Sequence, residues 1–595
     1  MKKFWFRALA VLLPLAGLAV LEVALRAAGV GAEEQAVFAP VKGHEAYQTL
    51  NPDYLRRYFN GAFEPEVAFH PFLKEKPEGA FRVMVLGGSS TAGFPYRFYL
   101  GFPTQIEQRL EAEAVGQKIE VINLGVTAAN SYTIWDLRDE IAAQQPDAVV
   151  IYAGHNEYYG AFGAGSSVNA LGNRIWLKRL VLRLKDLVLY RALEDLIRSL
   201  TPKRGDGRSL MAQMIRDAEI TLDGDAYRDG IAQFEANMRE ALATFRQAGI
   251  TVYMGTLVSN LKDQPPLGED PEALADYEQG QELFEQGDTT QARVAFLSAK
   301  DRDEIRFRAP EALNALIDTF AEEGLVTEVN LAPVARAYSF SGIEDEWFFA
   351  DHLHPNVIGY NGIGERFFEE IRNHPALRLS GVALLEEPLD ENLDWRMRYV
   401  TLDRRLADPF ERLFAHLQVF SINAGYPFNK GSEEEEQILL QQQLGRVRAS
   451  RSYLDYLTYE TLVNDLAPEE ALALALPVAR ARGDTLYALQ MYRSSLYWRP
   501  FDEDLRREAV AFATRAAEAN PRYEPTAEQI LFHVVNLTGD AESLNALATL
   551  RLKRGAVEDA ATLLALAEAA KPGPEAARVD AIRLVTQDGS NAKHP

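Results

Sequence analysis

The sequence predicts an α/β domain built on an open parallel sheet with helices on both faces, followed by an all-α domain. Two patterns carry this expectation. From Phe81 onward short apolar runs alternate with helical stretches, the order that parallel βαβ units require. Beyond about residue 380 the strand-like runs stop, and small residues recur at the spacing of packed helical hairpins. A chain of 595 residues that is 47% hydrophobic has the material for sizeable cores, and its length suggests about three or four domain-sized units.

The apolar runs are FRVMVLG, KIEVINLG ending at Gly125, DAVVIYAG ending at Gly154, GITVYMGTLV from Gly249, and LVTEVNLAPV. Runs without polar alternation are those of strands buried on both faces, and functional groups in such sheets gather at the carboxyl ends of the strands. Helical insertions are expected at about 160–245 and 265–325 within a domain spanning 80–375, which a lead-in segment, 31–79, precedes. The second insertion contains LFEQGDTTQARVAFLSAK, where Gly287 is followed by Ala292, Phe296 and Ala299. The same register returns with Gly483, Ala488, Tyr492 and Pro500, and with Gly555, Ala560, Leu564, Ala567 and Pro572. Small residues flanking a large one let two antiparallel helices approach closely, and the proline ends the second helix. The pattern resembles the tetratricopeptide repeat; ordinary helical hairpins that share a turn glycine are the alternative. Either way residues 376–595 are expected to be α-helical and suited to protein contacts.

At the N-terminus, Lys2, Lys3 and Arg7 precede an apolar run from Ala8 to Ala24, broken only by Pro14, Gly17 and Glu22. This fits an export segment over residues 1–30. Its length and the lack of a sharp cleavage motif favour a retained single-pass membrane anchor, with the remainder extracytoplasmic, periplasmic or at the cell surface. A second membrane contact is suggested by RIWLKRLVLRLKDLVLYRALEDLIRSL, Arg174 to Leu200, where Lys178, Arg179, Arg183 and Lys185 would reach lipid phosphates. The competing expectation is a core-packed helix with snorkelling basic side chains. A formal net charge of −24 argues against a nucleic-acid partner, and the run Glu433 to Glu436 is expected on a solvated face. There is no cysteine, which excludes disulfides, thiolate metal sites and a cysteine nucleophile.

The first run continues into a glycine turn, VMVLGGSSTAGF, with three candidate roles: a phosphate cradle, a catalytic serine on a bend, or a helix cap. Gly88 and Gly93 have Walker spacing, but Phe94 stands where the phosphate-binding lysine belongs. The dinucleotide fingerprint and the Gly-x-Ser-x-Gly elbow fail as well. Ser89 alone is as compatible with helix capping as with nucleophilic chemistry.

Four blocks taken together alter that balance: GGSST with Ser89, INLGVTAANS with Gly125, GHNE with Asn156, and DHLHP with Asp351 and His354. Their order resembles the SGNH (GDSL-like) hydrolase superfamily over roughly residues 80–375. The resemblance implies a flavodoxin-like three-layer α/β/α domain. It also implies an ester-cleaving activity in which Ser89 is the nucleophile, His354 its base and Asp351 the group that orients the imidazole. The oxyanion hole it implies is made by the backbone N–H of Ser89, the backbone N–H of Gly125 and the side-chain amide of Asn156. Ser90 becomes the less favoured nucleophile.

Two positions depart from the family pattern: Gly88 replaces the aspartate of Gly-Asp-Ser, and Glu157 replaces the aspartate after Asn156. Asp351, His352 and His354 invite a metal reading, but a third firm ligand from elsewhere is not identifiable, so neither metal nor cofactor is expected. His155 and Glu157 are candidates for substrate contact or for structure, and the tyrosines of IYAGHNEYYGAF for stacking on a sugar. The expected activity is removal of an O-acyl group, such as acetyl on a glycan or an acylated small molecule. The alternatives are an O-acetyltransferase using the same residues and a catalytically idle helical-repeat scaffold of the cell envelope.

Overall fold

A computed structural model describes residues 2–31, 36–59, 67–166, 174–200, 219–385, 394–464 and 466–570, without the side chains of residues 2–11, 198–200 and 433. The lead-in segment forms a small antiparallel sheet of β1 (Phe38–Val41), β2 (His44–Leu50) and β3 (Phe72–Leu73). The main sheet comprises β4 (Phe81–Gly87), β5 (Ile119–Gly125), β6 (Ala148–Tyr152), β7 (Thr251–Gly255) and β8 (Thr327–Val329). Its order is β5-β4-β6-β7-β8, with every neighbouring pair parallel. All five are the apolar runs singled out in the sequence.

β4 lies between β5 and β6, and Val83, Met84, Val85 and Leu86 are at most 1% exposed. A central strand covered on both faces has no solvated side, which explains why its sequence does not alternate. The exception is Arg82, whose guanidinium is fully buried and satisfied by Glu120 at 2.7 Å and the Leu73 carbonyl at 2.7 Å. Removing either partner of such a pair leaves an uncompensated buried charge. Gly87 pairs with Gly125 on one side and with Tyr152 on the other, so three strands end level with one another.

The helix Asp225–Gln247 packs on the sheet through Phe234, Met238, Leu242 and Phe245, and Glu311–Glu322 does so through Leu313, Ile317 and Phe320. The predicted insertions therefore each include an ordinary crossover helix. What is added is, first, a pair of helices, Ile175–Leu184 and Val188–Leu200, and second, a hairpin, Pro271–Glu285 with Thr289–Arg302.

The basic segment departs from its membrane-binding expectation at the residues chosen for it. Lys178 is buried and donates to the Phe162 carbonyl at 2.7 Å. Arg179 donates to Asn237 at 3.0 Å and, with Arg183, lies over the Trp135 ring at 4.8 and 5.6 Å. Lys185 donates to the Arg57 carbonyl at 2.8 Å. Burial lowers Lys178 to about 8, against the pull of Glu157. Lys178, Arg179 and Lys185 thus point inward, Arg183 remains exposed, and the exposed side also carries Trp176, Leu193, Leu196 and Ile197.

The N-terminal helix, Lys2–Ala27, ends on this pair. Glu22 accepts the N–H groups of Val188 and Leu189, each at 3.0 Å, and Arg26 donates to the Asp186 carbonyl at 2.8 Å. A carboxylate on the free N–H groups that open a helix is the favourable arrangement. Among the described residues, no helix is long and apolar enough to cross a membrane.

The C-terminal region is helical throughout its described length and fits the expected repeat-like arrangement. Gly287, Gly483 and Gly555 each adopt the left-handed conformation, with φ of 85°, 74° and 78°, the geometry for which glycine is preferred at a helix end. Ala292, Phe296 and Ala299 are buried, as are Ala488 and Tyr492. The third hairpin breaks the pattern: Ala560 and Ala567 are buried, but Leu564 is 40% exposed. Pro572 lies outside the described residues.

This region is docked on the hydrolase-like domain. Asn536 uses its side-chain amide as a surrogate strand, accepting from the Ile119 N–H at 2.9 Å and donating to the Ile119 carbonyl at 3.0 Å on the edge strand β5. Such capping removes an unpaired strand edge. Glu111 meets His533 at 3.0 Å, and Arg97 meets Glu411 at 2.6 Å across the same junction.

Two substitutions measure how far the hairpin register governs stability. Ala488→Leu should destabilise the chain by about 1–3 kcal/mol through overpacking. Leu564→Ala should stay within about 0.5 kcal/mol. Urea unfolding of the full chain checks both.

Candidate active site

The site is assembled at the carboxyl ends of β4, β5 and β6. Ser89 opens the short helix Ser89–Ala92 directly after Gly87 and Gly88. A side chain at Gly87 would overlap Thr91 and the Tyr152 carbonyl, and one at Gly125 would overlap the backbone of Thr91 and Ala92. The turn therefore sits flush on two strand ends. Gly88 is constrained from a different direction: a Cβ there would stand 2.5 Å from the Asn156 amide nitrogen. An aspartate here, as in the family pattern, would require the Asn156 amide to shift.

Ser89 is half-buried, and its Oγ lies 2.7 Å from His354 Nε2 although 265 residues separate them. His354 Nδ1 lies 2.7 Å from Asp351 Oδ2. The other carboxylate oxygen accepts the backbone N–H groups of Leu353 and His354 at 2.9 and 2.8 Å. Burial opposes ionisation of Asp351, but the imidazoles of His354 and His352 hold it well below the usual carboxylate range. The loop is fixed from behind by Asn356, which caps the helix Val357–Ile371 through the N–H groups of Ile358 and Gly359, each at 3.0 Å. The Phe94 ring rests 4.6 Å from the His354 ring, and its carbonyl accepts the Tyr360 hydroxyl. A hydroxyl, an imidazole and a carboxylate in this order can move a proton from oxygen to nitrogen while the carboxylate fixes the tautomer.

Asn156 is half-buried and donates one amide hydrogen to the Ala129 carbonyl at 3.1 Å. Gly125 is placed differently from its expected role. Its N–H already donates to Asn123 Oδ1 at 2.9 Å, at the point where close packing demands a glycine. Ala128, three residues on, has φ of 61°, a conformation an alanine adopts only under constraint. Its carbonyl is held by the Ala161 N–H at 3.2 Å, while the N–H groups of Ala128 and Ser89 have no acceptor among the described residues. The stretch VTAANS carries no glycine to mark this turn, and Gly125 came from the family resemblance.

Ser90 is 5% exposed, and it is the Ser89 hydroxyl that meets His354. Burial, with His354, Lys300 and His352 nearby, lowers His155 to about 3, and its Nδ1 accepts the Ala309 N–H at 3.1 Å. Glu157 is fully buried and receives both the N–H and the hydroxyl of Ser131, at 3.1 and 2.7 Å. It ties the Asn156 turn to the helix Ser131–Ala143 that follows β5. His155 and Glu157 are thus structural neighbours of the site. Tyr152, Tyr158, Tyr159 and Phe162 are at most 3% exposed, so they pack the core and offer no face to a sugar.

Among the described residues, two groups of side chains could hold a metal ion. Asp351, His352 and His354 bring donor atoms within 4.8 Å of one another, as do Glu107, Glu111 and His533 at the domain junction. In the first group the Asp351 oxygens are already engaged by the loop and by His354, and His354 Nε2 faces Ser89.

Residues 85–361 match the model of the GDSL-like Lipase/Acylhydrolase family. The chain contains a GDSL-like hydrolase domain. That family consists of esterases and acylhydrolases acting on ester bonds. No curated protein matches the chain. Among solved structures, a putative lipolytic protein of the G-D-S-L family from Desulfitobacterium hafniense is similar at 12% identity and a TM-score of 0.25, over 48% of this chain and 98% of that one. The acetyl xylan esterase AlAXEase is similar at 13% identity and 0.27, over 49% and 100%. A lipase/acylhydrolase from Enterococcus faecalis is similar at 16% and 0.27, over 51% and 98%.

Glu157 gives the hydrolase domain a pH-dependent stability. Burial raises its carboxyl to about 7 from the usual 4.5, against the Ser131 bonds that favour the ionised form. The folded chain keeps this proton where the unfolded chain has lost it, so stability falls as pH rises from 4.5 through about 7. Glu157→Gln should remove this component, flattening the difference by up to about 1.4 kcal/mol per pH unit. Thermal denaturation of wild type and variant across pH 4 to 8 checks it, with a parallel pair of curves as the contrary result.

Proposed function

We propose that the GDSL-like domain is a serine esterase working through an acyl-Ser89 intermediate. The single observation that carries this is the continuous Ser89, His354, Asp351 relay at 2.7 Å and 2.7 Å. His354 Nε2 takes the Ser89 proton as Oγ bonds to the ester carbonyl carbon. Collapse of the tetrahedral adduct breaks the bond to the leaving oxygen, which receives that proton. Water then attacks the acyl-serine, passing its own proton through His354, and releases the carboxylic acid.

The developing oxyanion is met by the Ser89 N–H, the free amide hydrogen of Asn156 and the Ala128 N–H, which takes the place first considered for Gly125. What supports Ala128 is its left-handed backbone and its N–H without an acceptor among the described residues. The glycan reading leaned on aromatic residues around Asn156, and since these are core residues, only the acyl half of that reading keeps its support.

An extracytoplasmic location, anchored through the N-terminal helix, is part of the proposal. It is supported by Lys2, Lys3 and Arg7 ahead of an apolar helix, and by the exposure of Leu12, Leu13, Leu15 and Leu18 on it. Trp176, Leu193, Leu196 and Ile197 extend that apolar surface, the arrangement of a protein resting on a bilayer.

The purified full chain should hydrolyse p-nitrophenyl acetate and be labelled at Ser89 by a fluorophosphonate. Ser89→Ala should abolish both, and Asn156→Ala should lower kcat by about 100- to 1,000-fold; a folded chain with neither turnover nor label would sink the enzyme reading. For location, protease added outside intact spheroplasts should degrade the hydrolase domain. Protection until lysis is the contrary outcome.

A further inference from the structure

The junction of the two domains holds a cluster that the ester chemistry does not use. Glu107 and Glu111 stand four residues apart on the helix Phe102–Glu113, so both carboxylates leave the same face. His533 meets them from the helix Glu524–Thr538 of the helical domain, 422 residues beyond Glu111. One ligand atom from each of the three lies within 4.8 Å of the others. All three residues are at most 4% exposed. Even so, Glu107 Oε2, Glu111 Oε2 and His533 Nε2 have no hydrogen-bond partner in good geometry among the described residues. We propose that Glu107, Glu111 and His533 bind one divalent transition-metal ion, zinc by their donor set, and that this ion ties the helical domain to the hydrolase domain.

Two carboxylates buried side by side are costly without a compensating charge, and a dication offsets both at once. One imidazole with two carboxylates suits zinc, whereas calcium and magnesium favour sites made of oxygen alone. His533 Nδ1 lies 3.0 Å from Glu111 Oε1, close to the separation of about 3.3 Å between neighbouring ligands of a tetrahedral zinc. His70 has a different part. Its Nδ1 accepts the Asn123 N–H at 3.3 Å, so in the neutral ring Nε2 carries the proton, and that nitrogen stands 3.7 Å from Glu107 Oε1. It therefore orients Glu107 and does not ligate, the support that metal-binding carboxylates commonly have. Asn536 does the same for Glu111, donating to Oε1 at 2.8 Å, and Tyr497 stacks on the His533 ring at 4.3 Å. A cavity of about 50 Å³ is lined by His70, Glu107 and His533. One water, whose share of liquid volume is about 30 Å³, fits there as the fourth ligand that zinc usually takes.

The untagged full-length chain, stripped with EDTA and dialysed, should bind one Zn²⁺ in calorimetric titration with ZnCl₂. Its melting temperature should rise with ZnCl₂ and not with MgCl₂. Glu107→Gln and His533→Gln should each weaken Zn²⁺ binding at least ~100-fold, and His70→Ala ~10- to 100-fold, with circular dichroism identifying the variants that fold. The wild-type arm decides even where a variant does not fold. If a proton on His533 alone joins the two carboxylates, the wild-type chain will neither bind Zn²⁺ nor be stabilised by it, and the proposal is overturned. Binding that persists in both Glu107→Gln and His533→Gln places the ion elsewhere, as at Asp351, His352 and His354, and overturns it as well. None of these readouts depends on the acyl-Ser89 reading.

Discussion

The site depends on how closely the nucleophile turn can sit on the sheet. Gly87 and Gly125 end neighbouring parallel strands, and each lacks a side chain where Thr91 and Ala92 press down. A Cβ at either position would push the helix Ser89–Ala92 outward. Ser89 would then leave the 2.7 Å reach of His354, whose own position is set from the opposite end of the fold by the Asn356 cap and the Asp351 loop. The relay therefore measures a distance between two parts of the chain that are rigid for separate reasons. Preorganisation of this kind requires no local flexibility at the moment of reaction.

The Asn156 turn completes the frame through charge-free contacts. Asn156 is held by the Ala129 carbonyl, Gly160 donates back to the Asn156 carbonyl at 2.7 Å, and Ala161 secures Ala128. Glu157, a buried carboxyl that accepts the N–H and hydroxyl of Ser131, fastens the turn to the helix that follows β5. Substituting glutamate for the family's aspartate lengthens the reach from this turn, and in this chain that reach is filled by Ser131. Gly88 stands in place of the family's aspartate, and a side chain there would have to displace the Asn156 amide.

Much of this was legible in the sequence because it depends on residue type and order. The five strands show as apolar runs, and Ser89, Asn156, Asp351 and His354 each stand at a strand end or in the closing loop. What was not legible depends on backbone direction. Ala128 adopts a left-handed conformation without the glycine that ordinarily signals one, and the resemblance had placed the role on Gly125. The segment from Arg174 to Leu200 showed its basic and apolar composition, but periodicity does not say which face meets the protein. Lys178 and Arg179 turned inward because acceptors on Phe162, Gln233 and Asn237 await them. Likewise, the tyrosines near Asn156 carried no sign that the long helix Asp225–Gln247 would cover them, as the stacking of Tyr158 on Tyr227 shows.

The helical region changes meaning once its docking is considered. Helical repeats read alone suggest a surface for other proteins, and such a surface would tolerate a mobile linkage to the enzyme. The junction is instead specified atom by atom: Asn536 completes the edge of β5, Glu111 and His533 form a buried pair, and Arg97 is shared between Glu411 and the Phe414 ring. Buried polar pairs of this sort contribute little net stability compared with apolar packing, but a shifted arrangement leaves them unpaired and is strongly disfavoured. They hold one relative placement of the two domains. That placement brings Phe414, Leu462 and Trp498 opposite Phe94, beside the serine turn. A domain that only recruits partners has no need of so closely specified a junction, whereas one that holds the strand edge and the loop after Ser89 in place does.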